Sequence, residues 1–338
     1  MRAAVIYKPG DVRVEENYKT PKPQKGEIMI KVRASGVCGT DISLYNGEHY
    51  ANYPVIFGHE FAGEVIDLGE GKNIFEKGDR VSVDPNIFCD KCYYCRKGAR
   101  HLCKNLQSAG IHIDGGFAQY VVIPTKNVYK IPHSVTFTNA AMAEPVSCCI
   151  RGIEMAKIKL GDTVLIHGAG AIGLIMLQLV LLSGAEKVIV NEPLRKRRNI
   201  ALELGASCVI DPTKNDVEKK VKKITQEGAE VVIDCSGNLS VQERLISMTR
   251  RGGTVVLFGV APKEGKISIS PFQVNRNEIT ICGSLNNPDT LLTAIKLISG
   301  EKLNLDRLIT HKLSLKDINK AFEIFGKEDP IKIQVVDF

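Results

Sequence analysis

A chain of 338 residues with 44% hydrophobic and 25% charged side chains has the balance of a soluble globular protein and room for two ordinary domains. Its net charge of +7 is dispersed, and the densest run, Arg195-Lys196-Arg197-Arg198, is too short for a nucleic-acid surface. The longest apolar run, Leu174 to Leu182, contains Gln178 and is too short to span a bilayer, so no membrane association is expected.

The N-terminus, MRAAVIYKPGDVRVEE, alternates like a strand and lacks the apolar centre of a signal peptide. A cytoplasmic location is therefore expected, where close cysteines signal metal more readily than disulfides. Up to about residue 145 the chain reads as short strands between Gly, Pro and Asp turns: EIMIKVRA, EFAGEVIDL, DRVSV and AQYVVIP. That texture predicts a β-rich, barrel-like domain.

From about residue 160, apolar strands alternate with helical patterns. The strands are TVLIHG, KVIVNE, SCVID, EVVIDCSG, GTVVLFG and ITICGS. The helices are GLIMLQLVLLSG, RKRRNIALELG, VEKKVKKITQEG and VQERLISMTR. Strands that are apolar throughout are buried on both faces, which predicts a doubly wound parallel sheet. After about residue 288 come two helical segments, TLLTAIKLISG and KDINKAFEIFG, and a strand, KIQVVDF, that returns to the first domain. The expected division is residues 1–145 plus 288–338 in one domain and 146–287 in the other.

The first strand of the wound domain ends in His167-Gly168-Ala169-Gly170-Ala171-Ile172-Gly173 and runs into an apolar helix. In that setting Gly168 permits the tight turn, Gly170 admits a pyrophosphate and Gly173 lets helix and strand pack, while the helix N-terminus supplies amide donors. Glu192, nineteen residues after Gly173, is placed to accept from ribose hydroxyls and repels a 2′-phosphate, which favours NAD. Arg195, Arg197 and Arg198 leave NADP open. A solvated helix face fits Lys196 and Arg198.

Four cysteines at C-x2-C-x2-C-x7-C spacing (Cys89, Cys92, Cys95 and Cys103) can close a tetrahedral thiolate sphere around zinc. A closed sphere has no position for substrate, so this site is expected to be structural. The ferredoxin alternative fails on the long last gap and on Lys104 where proline should follow. Lys91, Arg96, Lys97, Arg100 and Lys104 around the lobe read as a solvated face or as an offset to the thiolates. Cys38 in GVCGTD, His59 and Glu60 in FGHEFAG, and Glu144 in AEPVSCC are separately unremarkable: a core cysteine, a turn histidine and a helix N-terminal acid.

Their order is informative. GVCGTD, GHE, the four-cysteine lobe, AEP and GxGxxG follow one another along the whole chain. In this the sequence resembles the medium-chain zinc-dependent dehydrogenases, and with glutamate in an EP pair it looks most like the polyol branch, which includes sorbitol and butanediol dehydrogenases. The resemblance implies a GroES-like β-rich catalytic domain plus a Rossmann doubly wound parallel-sheet domain, two zinc ions per chain, NAD, and a homodimer or homotetramer.

It also implies that Cys38 and His59 bind the catalytic zinc, that Glu60 is a direct or exchangeable ligand, and that Glu144 reaches the metal directly or through water. Asp41 would orient His59, and Thr40 would pass a proton toward solvent. Ser43 stands where the family's relay often has a histidine; His49 is near in sequence. Ile172 and Arg197 belong to the expected cofactor site. The expected reaction oxidises a secondary hydroxyl of a polyol or sugar to a ketone with hydride transfer to the nicotinamide. L-threonine, suggested by CGTD followed by YNGEH, a phosphorylated polyol, and a non-catalytic NAD-binding regulator are the alternatives. Tyr45, Phe57, Asn286 and Asn287 are candidate pocket residues with equally good turn or core roles.

Overall fold

A computed structural model describes residues 1–71 and 74–338. The chain divides into two compact units, Met1–Ser147 with Pro288–Phe338, and Cys148–Asn287.

The first unit is built on a seven-stranded sheet. Its long strand Glu27–Val37 pairs antiparallel with Glu60–Leu68, Tyr120–Pro124 and Lys332–Asp337. Lys332–Asp337 in turn runs parallel to Ile309–Ser314. The C-terminal strand is therefore interior to the sheet. Val37, Phe57 and Phe117 pack with Leu315, Ile318, Ala321, Ile333 and Val335 in one buried cluster. Apolar burial of that kind contributes about 1.5–3 kcal/mol per large side chain. The Phe57 candidate for a pocket is a core residue, edge-on to Phe117 at 4.6 Å between ring centroids.

The second unit holds a six-stranded, wholly parallel sheet. Its strands are β1 (Thr163–His167), β2 (Lys187–Asn191), β3 (Cys208–Ile210), β4 (Ala229–Asp234), β5 (Thr249–Leu257) and β6 (Thr280–Gly283). They lie in the order β3-β2-β1-β4-β5-β6, the doubly wound dinucleotide-binding order. Helix α1 (Ala171–Leu182) is apolar on every side and is buried from Gly173 to Val180; Gln178 is accommodated by donating to Leu174 O at 3.1 Å. Helix α2 (Arg195–Glu203) and helix α3 (Val217–Thr225) follow β2 and β3, and Asp216 caps α3 by accepting from Lys219 N.

The helix expected over 241–250 is shortened. One turn, Leu239–Gln242, and a 3-10 turn, Ile246–Met248, precede β5, which already starts at Thr249. Thr249 donates its hydroxyl to Leu245 O at 2.8 Å, and Gly252, at φ 71°, cannot continue a helix cheaply. Arg250 and Arg251 are exposed, so the start of this strand lacks the apolar signal of its end.

Candidate active site

Cys38 follows the strand Glu27–Val37 and is the N-cap of helix Gly39–Asn46. Asp41, three residues on, accepts from Cys38 N through Oδ2 at 2.8 Å. Its other oxygen, Oδ1, stands 3.5 Å from His59 Nδ1. The CGTD turn thus uses one carboxylate to cap a helix and to face the imidazole. Gly58, at φ 87°, turns the chain into the strand Glu60–Leu68; a side chain there would meet the Phe117 ring at 2.6 Å. That turn presents His59 and Glu60 together.

Donor atoms of Cys38, His59 and Glu60 lie within 4.8 Å of one another, with His59 and Glu60 buried. Burial pushes the His59 pKa down, but the Asp41 carboxylate and the Cys38 sulfur outweigh it and hold the imidazole well above its usual value. The pocket therefore favours positive charge, and thiolate, imidazole and carboxylate are a donor set that fits zinc. Glu144 lies buried in the first turn of helix Ala143–Ala156 and is outside the group of three. Thr40 Oγ1 is 3.8 Å from Cys38 Sγ. Ser43 donates to Glu48 Oε2 at 3.3 Å, and His49 Nδ1 meets Tyr50 O at 2.9 Å. Tyr45 stacks on Phe322 at 4.2 Å.

One buried charge at this site is absent from the sequence reading. Lys332, first in the strand Lys332–Asp337 and 4% exposed, forms an ion pair with Glu60 Oε2. Its only sequence signal is a lysine at the head of an otherwise interior strand.

The second cluster joins Cys89, Cys92, Cys95 and Cys103, whose sulfurs also lie within 4.8 Å of one another. Cys89 and Cys103 are 3.4 Å apart and Cys92 and Cys95 3.6 Å. The Lys91 amide and the Asn105 side chain bring the Cys89 pKa down to about 6, and the amides of Cys95 and Lys104 lower that of Cys92. At Cys89 and Cys92 these donors stabilise the thiolate, the form that binds metal, while burial and the neighbouring sulfurs push Cys95 up to about 12. Lys91, Arg96, Lys97 and Lys104 are exposed, as expected. Arg100 is not simply solvated: it bridges Asp90 at 2.9 Å and Asp289 at 3.0 Å.

In the second unit Gly168, at φ 93°, closes the turn after β1, donating to Asn191 O at 2.8 Å. Gly170 is the N-cap of α1, and a Cβ on Gly173 would overlap Gly168 O. Ile172 is half-buried, and its carbonyl accepts from Cys149 Sγ at 3.8 Å. Glu192 is buried after β2 and accepts from Ala169 N at 2.7 Å and from Leu194 N at 2.9 Å. Each carboxylate oxygen keeps a lone pair for a ribose hydroxyl. An Arg197 nitrogen lies 3.9 Å from where a Gly170 Cβ would stand, beside the glycine turn, and Arg195 is exposed. Arg198 corrects the solvated-face expectation. It donates to Glu192 O at 2.8 Å and Pro193 O at 2.6 Å and pairs with Asp211 at 2.8 Å, because β3 brings that acid alongside. Asn286 is half-buried at φ 54° and Asn287 fully buried.

Residues 24–133 match the alcohol dehydrogenase GroES-like domain, and residues 171–300 match the zinc-binding dehydrogenase family. The chain is 38% identical to an L-threonine 3-dehydrogenase of Pyrococcus horikoshii over 96% of its own length and 95% of the relative's. It is 33% identical to a sorbitol dehydrogenase of Halalkalibacterium halodurans, covering 93% and 92%. A solved structure from Sinorhizobium meliloti, described as a candidate zinc-binding dehydrogenase and bound to NADP, superimposes with TM-score 0.96 at 35% identity, covering 99% and 98%. The chain belongs to the medium-chain zinc-dependent dehydrogenase family, whose members are NAD(P)-dependent oxidoreductases acting on CH–OH groups. Among the described residues no helix is long and apolar enough to cross a membrane.

Proposed function

We propose that this chain is a dehydrogenase that interconverts a secondary hydroxyl and a ketone on a small polyol or sugar, using NAD. The observation that carries the reading is the convergence of half-buried Cys38 with buried His59 and Glu60. Zinc held by these residues would supply Lewis acidity toward the substrate hydroxyl, and the nicotinamide the hydride acceptor. In this reading Cys38 and His59 hold the metal, with Asp41 Oδ1 fixing the imidazole through Nδ1 and leaving Nε2 to coordinate. Glu60 is an exchangeable donor, and Glu144 acts through water. Thr40 Oγ1, beside Cys38 Sγ, carries the substrate proton toward solvent, with Ser43 as its next partner.

The four-cysteine lobe holds a structural zinc. All ten cysteines are unpaired, which fits a reducing, cytoplasmic setting. Gly168, Gly170, Ile172 and Gly173 cradle the pyrophosphate, and Glu192 takes the ribose. Arg197, beside the glycine turn, is the residue that would admit NADP. We further propose a homodimer or homotetramer, to be read by light scattering.

L-threonine is a second reading, favoured by the relative at 38% identity. Its hydroxyl is also secondary and also has a polar neighbour on the next carbon. The test is initial rates across C4–C6 polyols, their phosphates, butanediol and L-threonine, with NAD and with NADP, alongside zinc content. A polyol with NAD as the best pair supports the proposal; L-threonine as the best replaces it with the second reading. No turnover of any substrate by protein carrying two zinc ions per chain overturns both.

A further inference from the structure

We infer that Lys332 is a positioning residue for Glu60, holding its carboxylate in reserve so that Glu60 is an exchangeable rather than a fixed donor to the metal. The inference rests on reading Cys38, His59 and Glu60 as a metal site. Lys332 and Glu60 are both almost wholly buried, at 4% and 2% side-chain exposure, and their ion pair joins two strands that are not neighbours in the sheet. Between them runs the strand Glu27–Val37, in which Gly36 is paired with Glu60 on one side and Gln334 on the other.

Gly36 makes the pair possible. A Cβ there would overlap Glu60 Oε2 and stand 2.9 Å from Lys332 Cε. The missing side chain leaves the space in which ammonium and carboxylate meet. Burying two charges is costly unless each has a strong partner, so a pair placed beside metal donors calls for a reason beyond stability.

Charge supplies it. The fields acting on Lys332 come from Glu60, Cys38 and Glu144. Lys332 brings one positive charge to a place where a sulfur ligand and buried carboxylates gather negative charge. Without the ammonium, the metal becomes the strongest partner of Glu60. With it, the carboxylate has two competing cations, and a substrate oxygen can displace it.

The experiment follows zinc loss to a chelator from the holoenzyme, together with kcat and KM. The phase belonging to the Cys38 set is the one absent from His59→Ala. In Lys332→Met the unpaired buried carboxylate turns to the metal, and we expect that phase to slow by at least about tenfold, with KM raised as substrate competes against a bound carboxylate. Lys332→Arg should keep both near wild type. In a Glu60→Gln background, Lys332→Met should leave release unchanged. Lys332→Gln is read in the same way if Lys332→Met does not fold. Release as fast as wild type, or faster, from a folded neutral variant overturns the inference, as does an equal effect in the Glu60→Gln background. If instead His59→Ala loses no phase, it is the metal-site reading that fails.

Discussion

Ala169 donates its backbone N–H to Glu192 Oε2 at 2.7 Å, so the acid expected to read the ribose also braces the glycine turn. Glu192 therefore has two tasks, and a substitution separates them. Glu192→Ala should lower kcat/KM for NAD by about 10- to 100-fold, the worth of one or two charge-assisted hydrogen bonds, and narrow the preference over NADP. Glu192→Gln keeps acceptor capacity for one amide and should cost less stability than alanine. Wild-type protein more efficient with NADP would show that Arg197 dominates.

The glycine turn offers a cleaner separation. A Cβ on Gly173 overlaps Gly168 O, whereas on Gly170 the nearest group is Arg197 at 3.9 Å. Gly173→Ala should destabilise the protein by about 1–3 kcal/mol through overpacking. Gly170→Ala should leave the melting temperature unchanged and raise the Kd for NAD. A normal Kd for Gly170→Ala would mean that the cofactor does not approach that backbone.

The cysteine lobe should fail by unfolding rather than by chemistry. Cys92→Ser opens the thiolate sphere, and we expect about one zinc fewer per chain and a stability loss of at least about 2 kcal/mol, roughly 4–8 °C for a unit of this size. His59→Ala should retain the melting temperature and lose turnover by orders of magnitude. The opposite pairing of outcomes would exchange the roles of the two clusters.

His167 gives the second unit an acid sensitivity. It is 2% exposed, with Nδ1 meeting Asn191 Nδ2 at 2.9 Å, and burial lowers its pKa to about 4. Because the folded state binds the proton less readily than the unfolded state, this side chain contributes stability above pH 6.5. That contribution is lost as pH falls toward 4. The difference in unfolding free energy between wild type and His167→Gln should shrink over that window; a difference independent of pH would contradict the assignment.

What could be read in advance follows the distance over which each signal acts. The Gly168–Gly173 turn and the four-cysteine lobe are local: strand, turn and helix, or one loop, contain all their atoms. Cys38, His59 and Glu60 are each ambiguous alone, and their order along the chain was what gathered them. The role of Arg198 is not legible in the sequence because its partner, Asp211, arrives with the next strand, a register that helix periodicity does not carry. Lys332 was invisible for the same reason in a stronger form: it opens a strand like any flanking lysine, and only pairing through Gly36 brings it to Glu60.

The interior place of Lys332–Asp337 sets a timetable for biosynthesis. Roughly 300 residues separate it from its partner Glu27–Val37, about fifteen seconds to a minute of translation. Throughout that interval Val37, Gly36 and Ser35 present unpaired backbone, the kind of edge that recruits a wrong strand or a chaperone. A stop before Lys332 thus removes the middle of a sheet rather than a tail, and such a product should be degraded as unfolded chain.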